Sequence, residues 1–253
     1  MDQILAEKLR NVSGSVNKTE SFGAVDGPGI RYVFFLQCCA LRCLYCHNPE
    51  TIPRAGGTVW TAGQAAAEAL RYKAFIRNGG VTFSGGEPLL QPEFVYAATM
   101  LLKDEGIGSA IDTSGSQNPD DPAVRRAIDA ADLILLDLKA SDDGIATALT
   151  GRGIAMALAT LDYCESSHKP VWIRHVLLSG YTLDDGQLNG IADILAGFGC
   201  VQRVELLPFH KLGEPKWEQS RLKYRLLDTP ATTAEQLRHA AAILQGRGLP
   251  VRQ

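Results

Sequence analysis

Arg31-Tyr32-Val33-Phe34-Phe35-Leu36-Gln37-Cys38-Cys39-Ala40-Leu41-Arg42-Cys43-Leu44-Tyr45-Cys46 joins an unbroken apolar run to a cluster of thiols. A short run without polar alternation reads as a strand buried on both faces, and such strands belong to parallel sheets covered by helices. Five further runs follow: Val81 to Phe83, Ser109 to Ile111, Leu133 to Leu138, Val171 to Leu178 and Arg203 to Leu207. Their starts lie 50, 28, 24, 38 and 32 residues apart, the size of a repeated βαβ unit. Helical segments fill the gaps. One opens with the capping box Thr61-Ala62-Gly63-Gln64, and another has Pro92 near its first turn and stops at Gly106. Others cover Ala123 to Ala131, Ile154 to Glu165, Asp185 to Ala196 and Thr233 to Gln245. Six parallel strands are too few to close as an eight-stranded barrel does. The expected class is therefore α/β, a partial, open six-stranded parallel (βα)6 barrel; a flat doubly wound sheet shares its periodicity. Residues 1–20 precede the first unit and read as an amino-terminal arm, flexible or partner-contacting, ahead of a domain over 21–253.

With 253 residues, 45% of them apolar and 21% charged, the chain has enough material for one large core. A net charge of −3 leaves no basic surplus to neutralise a phosphate backbone or an anionic membrane surface. Apolar stretches such as Tyr32 to Leu36 fall far short of the roughly 20 residues that cross a bilayer. The start, Met1-Asp2-Gln3-Ile4-Leu5-Ala6-Glu7, lacks the basic and apolar regions of a secretion signal. Neither nucleic acid nor membrane is expected as a partner, and the expected location is the cytoplasm.

Four of the six cysteines, Cys38, Cys39, Cys43 and Cys46, crowd into nine residues, while Cys164 and Cys200 stand alone. In a reducing compartment such a cluster points to metal or redox chemistry rather than to a disulfide framework. Cys164 and Cys200 read as small core residues. Cys39-x3-Cys43-x2-Cys46 offers three thiolates from one loop, which suits a four-iron cluster with one iron left open. A structural zinc site would want a fourth ligand, with adjacent His47 the awkward candidate, and a Cys43/Cys46 dithiol would leave Cys39 unused.

Ligands of parallel α/β folds bind beyond the carboxyl ends of the strands. There the sequence places the cysteine loop, then Ser84-Gly85-Gly86-Glu87, Asp112-Thr113-Ser114-Gly115, Asp137-Leu138-Lys139, Arg174-His175 and Pro208-Phe209-His210. Thiols, carboxylates, a lysine, an arginine and histidines on one rim make an active-site composition.

The cysteine spacing, with Tyr45 before the last cysteine, resembles the signature of radical S-adenosylmethionine (SAM) enzymes, and Ser84-Gly85-Gly86-Glu87 resembles their second motif. Val25-Asp26-Gly27-Pro28-Gly29-Ile30-Arg31, Cys46-His47-Asn48-Pro49, Leu136-Asp137-Leu138-Lys139 and Glu205-Leu206-Leu207-Pro208-Phe209-His210 narrow the resemblance to the glycyl-radical-enzyme activases. No cysteine lies between Cys46 and Cys164, which is similar to the short type acting on pyruvate formate-lyase. The similarity runs from about Ser21 to Trp217, and departs from the family where Cys38 replaces a usual glycine and Ser114 a commoner asparagine.

The resemblance implies a radical SAM oxidoreductase of anaerobic metabolism. Cys39, Cys43 and Cys46 would hold a [4Fe-4S] cluster whose open iron chelates SAM. Reductive cleavage would give methionine and a 5′-deoxyadenosyl radical, which takes a hydrogen atom from a glycine of a partner glycyl radical enzyme. A flavodoxin- or ferredoxin-type protein would donate the electron. Tyr45, Cys46 and His47 would line the adenine, and Gly85 and Gly86 would let the backbone approach the methionine amino group. Lys139 would pair with the methionine carboxylate, supported by Arg174. His210 would contact the ribose or methionine, with Leu138 in the same lining. Asp112, Thr113 and Asp137 are candidates for SAM contact and a monovalent cation, and Asp26 for the partner. Two other readings of the residues are a radical SAM enzyme acting on a small molecule and a non-catalytic iron-sulfur electron carrier.

Overall fold

The computed structural model describes residues 1–252 and divides into two units. Unit 1 comprises Met1–Ala40, Thr51–Thr113 and Gln117–Leu135; unit 2 comprises Leu41–Glu50, Ser114–Ser116 and the chain from Leu136 onward. In chain order unit 1 contains α1 (Gln3–Arg10), β1 (Ser13–Gly23), β2 (Arg31–Leu36), β3 (Thr58–Thr61), α2 (Ala62–Leu70), α3 (Lys73–Ile76), β4 (Gly80–Gly85), α4 (Pro92–Asp104), β5 (Ser109–Thr113) and α5 (Pro122–Ala130). β6 (Leu133–Asp137) leads into unit 2, followed by α6 (Asp143–Thr150), α7 (Ala155–Ser166), β7 (Val171–Leu177), α8 (Asp185–Leu195), β8 (Val201–Pro208), α9 (Glu214–Gln219), α10 (Ala234–Gly246) and β9 (Val251–Arg252).

The hydrogen-bonded strand order is β3-β1-β2-β4-β5-β6-β7-β8-β9, with β3 and β9 as the two ends of the list. All six expected strands are present, and their order β2-β4-β5-β6-β7-β8 is their order along the chain. The pairs β2–β4, β4–β5 and β7–β8 are parallel. Mixed pairing enters through β1, which runs antiparallel to both β2 and β3. The result is a mixed sheet flanked by helices, carrying the partial (βα)6 arrangement.

Residues 1–20, expected as a separate arm, instead form α1 and most of β1 within unit 1. Ser13-Gly14-Ser15-Val16-Asn17-Lys18-Thr19-Glu20 has no apolar run, yet its backbone pairs with two neighbours, from Val16 opposite Leu36 to Ser13 opposite Thr61. Backbone hydrogen bonds hold a polar strand whose side chains give no strand signal.

Local chemistry explains the helices. Thr61 and Gln64 close a reciprocal capping box at α2, as Thr233 and Gln236 do at α10. Asp142 caps α6 by accepting from the Ile145 N–H. Within unit 1, Val33, Phe34, Val81, Phe83 and Ile111 are fully buried, and the rings of Phe34 and Phe83 stack at 5.7 Å. Each such side chain contributes about 1.5–3 kcal/mol by leaving water. Unit 2 buries Ile173, Leu177 and Val204 of its strands, with Leu188 and Ile191 of α8 and Leu244 of α10.

Candidate active site

In unit 1 the chain leaves β2 through Gln37 and Cys38. The Cys38 N–H donates to the Thr51 carbonyl (2.8 Å), the Cys38 carbonyl accepts from the Glu87 N–H (2.8 Å), and the Cys39 N–H donates to the Ile52 carbonyl (3.2 Å). The backbone that presents Cys39 is thereby fixed on both sides. Cys38 has φ 82°, in the left-handed region that glycine adopts freely and other residues rarely do.

Gly85 and Gly86 follow from the same packing. Gly85 has φ 107°, and a Cβ built on it would stand 2.3 Å from the Leu36 nitrogen; on Gly86 it would stand 2.2 Å from the Cys38 carbonyl oxygen. The close approach that requires glycine is thus to β2 and to the residue before Cys39.

Glu87 is fully buried, and its Oε1 accepts from the Leu89 N–H (3.1 Å) and the Thr113 hydroxyl (2.6 Å). The Ser84 hydroxyl donates to Asp112 Oδ2 (2.6 Å). These two bonds tie the ends of β4 and β5 together. Thr113, expected as a cation ligand, directs its hydroxyl proton to Glu87, so the acid of the second motif organises its own unit.

In unit 2 the loop from Leu41 to Glu50 carries Cys43 and Cys46. The Arg42 and Leu44 N–H groups donate to the Thr150 and Leu149 carbonyls at the end of α6 (2.8 and 2.9 Å). Those carbonyls lack partners within their helix, so the loop supplies them. The Cys46 N–H turns back to the Cys43 carbonyl (3.1 Å).

Burial pushes the Cys43 thiol up to about 12, against the opposing pull of the Lys139 ammonium. Burial also raises Tyr45, which is 6% exposed and packs with Leu149, Leu178, Phe209 and Trp217. The Lys139 ammonium lies 5.7 Å from the Tyr45 ring centroid and donates to Asp137 Oδ2 at 2.6 Å. Burial depresses Lys139, but Asp137, Tyr45 and Cys43 together outweigh it and hold the ammonium well above its ordinary pKa. Lys139 thus has an internal counter-ion, a pairing that the expected carboxylate contact did not include. A cavity of about 350 Å3 opens beside Asp137 and Lys139, lined also by Leu41, Ser114, Arg152 and Met156.

His47 and His210 meet with ring centroids 4.5 Å apart. Desolvation and the neighbouring imidazole lower the His47 pKa, favouring the neutral ring. Arg174 lies across from Glu205 in the β7–β8 pair, its Nε 3.8 Å from the carboxylate. Leu138 is fully buried; its N–H donates to the Arg174 carbonyl (3.0 Å) and its carbonyl meets His175 Nδ1 (2.7 Å). Its backbone therefore pairs with β7.

The structure of unit 2 brings Cys43, Tyr45, Cys46, Asp137 and Lys139 into one electrostatic neighbourhood, and His47 to His210; Cys39, Gly85, Gly86, Asp112 and Thr113 belong to unit 1. α9 adds two side chains that no motif signals. The Trp217 indole N–H donates to the Cys46 carbonyl (2.8 Å), and Lys216 donates to the His47 carbonyl (2.8 Å) and Asn48 Oδ1 (3.1 Å).

The donor set fits an iron-sulfur cube. All six cysteines are free thiols. An iron-sulfur cube takes each thiolate at a separate corner, and Cys39-x3-Cys43-x2-Cys46 supplies three. The Tyr45 hydroxyl is buried without a hydrogen-bond partner among the described residues, as a group facing an additional ligand would be.

The sequence profile of the radical SAM superfamily matches residues 33–188. A pyruvate formate-lyase-activating enzyme of Streptococcus mutans is 40% identical over 240 residues, covering 92% of this chain and 91% of the relative. One from Clostridium pasteurianum is 42% identical over 226 residues, covering 88% and 94%. The crystal structure of a domain of the pyruvate formate-lyase-activating enzyme from Bacteroides vulgatus superposes with a TM-score of 0.58 at 25% identity, covering 69% of this chain and 98% of that one. The profile spans more than half of the chain and the relatives nearly all of it, so this protein is a radical SAM enzyme and belongs to the family of pyruvate formate-lyase-activating enzymes.

Proposed function

We propose that the protein activates a glycyl radical enzyme of the pyruvate formate-lyase kind by generating a radical on a glycine of that partner. Membership of the radical SAM family implies a [4Fe-4S] cluster and SAM. The observation that carries the reading is the donor set Cys39-x3-Cys43-x2-Cys46, three free thiols on one loop. When bound, cluster and SAM supply a one-electron reductive cleavage that yields a hydrogen-abstracting radical.

The residues divide the remaining work. Cys39, Cys43 and Cys46 hold the cluster, and Cys43 loses its proton on loading because a thiolate is the ligand. Lys139, paired with Asp137 and bordering a cavity, would hold the methionine carboxylate. Asp112 and Asp137 serve the methionine amino end or a monovalent cation. Neutral His47 and buried Tyr45 lie at the adenine, His210 at the ribose or methionine. Arg174 supports the carboxylate through its strand, and Gly85, Gly86 and Leu138 contribute backbone. Apolar Phe209 and Trp217 exclude water behind the loop. Asp26 contacts the partner glycine loop, and a reduced flavodoxin- or ferredoxin-type protein supplies the electron. The free thiols suit a reducing compartment, the cytoplasm.

The test is anaerobic incubation of the iron-loaded, reduced protein with SAM and a pyruvate formate-lyase. The reading requires a glycyl EPR doublet on the lyase and its absence with Cys43→Ala. Cleavage of SAM without any doublet on that partner would overturn the assigned target.

A further inference from the structure

The cysteine loop of unit 2 is gripped from two directions. On one side the end of α6 accepts from Arg42 and Leu44. On the other, the segment from His210 through α9 closes over Cys46 to Glu50. The His210 ring lies tilted by 30° against that of His47, and a Cβ on Gly213 would stand 3.0 Å from the His47 ring. Gly213 therefore allows a backbone to lie directly on the loop. Lys216 bonds to the His47 carbonyl and Asn48 and stands 3.8 Å from Glu50, while Trp217 bonds to the Cys46 carbonyl.

α9 has only six residues and no side-chain cap. A helix this short is marginal by itself, so its place depends on tertiary contacts. Trp217 supplies one anchor, 8% exposed and with its ring 5.6 Å from Tyr224. Its indole has a single donor, and that donor goes to the backbone of a cysteine. Lys216 is half-buried and directs its ammonium to the carbonyl of the next loop residue, His47. Two adjacent side chains of one element thus hold two adjacent carbonyls of the loop, an arrangement that general packing does not require.

We propose that α9 is a strap in which Trp217 and Lys216 are positioning residues: their bonds to the Cys46 and His47 carbonyls set the pose of the third cluster ligand and of the backbone facing the SAM base. The inference rests on the assignment of Cys46 as a cluster ligand. The strap lowers the freedom of the loop before cofactor binds, so its loss is felt as weaker retention and weaker SAM binding while the fold survives.

Trp217→Phe keeps an aromatic ring against Tyr224 and removes the N–H. Lys216→Met keeps the stem and removes the charge, and Lys216→Arg restores a donor. Iron and sulfide content, iron loss to a chelator, the EPR line of the reduced cluster and the SAM dissociation constant are measured anaerobically beside the melting temperature. Trp217→Phe and Lys216→Met are expected to load fully and melt near the parent, to lose iron about fivefold faster and to bind SAM about fivefold more weakly, the worth of one hydrogen bond. Lys216→Arg is expected to recover most of the Lys216→Met loss. Parent-like release and SAM affinity in both removals overturn the strap alone. If Trp217→Phe fails to fold, Lys216→Met and its arginine rescue decide the question. A parent that takes up no iron overturns the ligand assignment, and the strap with it.

Discussion

A φ of 82° at Cys38 is a conformation that glycine adopts freely and cysteine does not. Cys38→Gly is expected to stabilise the protein by about 1 kcal/mol, read as a higher melting temperature at unchanged iron content; a lower one would show that the side chain packs more usefully than its backbone strains. His175 gives a pH prediction. It is fully buried, and burial lowers its pKa below the ordinary 6.5. The unfolded chain then binds a proton that the native state refuses, so stability falls as pH drops below 6.5. His175→Gln should flatten that part of a melting-temperature profile, and an unchanged slope would contradict it. The placement of the thiol loop, Gly85-Gly86, Asp112-Thr113 and Asp137 at strand ends was legible because the apolar runs that precede them mark the strands. The Lys139–Asp137 pair and the burial of Glu87 were not, since side-chain direction depends on packing that a sequence pattern leaves open.

Elements with one strong local signal were readable: β2 matches its apolar run from Arg31 to Leu36, and α2 begins at its capping box. β1 and β3 escaped notice because their pairing is a backbone matter, and α9 because six polar-rich residues carry no period. α6 was missed too, although it holds the cysteine loop. That gives the element-scale prediction. Asp142→Ala removes the α6 cap, an expected cost of about 1 kcal/mol, and loosens the carbonyls that receive Arg42 and Leu44. Faster iron loss should accompany the lower melting temperature; a lower melting temperature with unaltered iron retention would show that the loop does not depend on α6.

For the molecule as a whole, the regular succession of strand and helix along the sequence agrees with the order in which the six strands lie in the sheet. Residues 1–20 form α1 and most of β1, which belong to unit 1, a placement that their polar composition does not signal. The proposed activation rests on Cys39, Cys43 and Cys46 holding a four-iron cluster with one iron left for SAM. Its most direct measurement is the EPR spectrum of the oxygen-free, reconstituted and reduced protein as SAM is added. The account predicts a four-iron signal that changes on SAM binding and saturates at one SAM per chain, followed by release of 5′-deoxyadenosine. A spectrum indifferent to SAM, with the cofactor left intact, would contradict it.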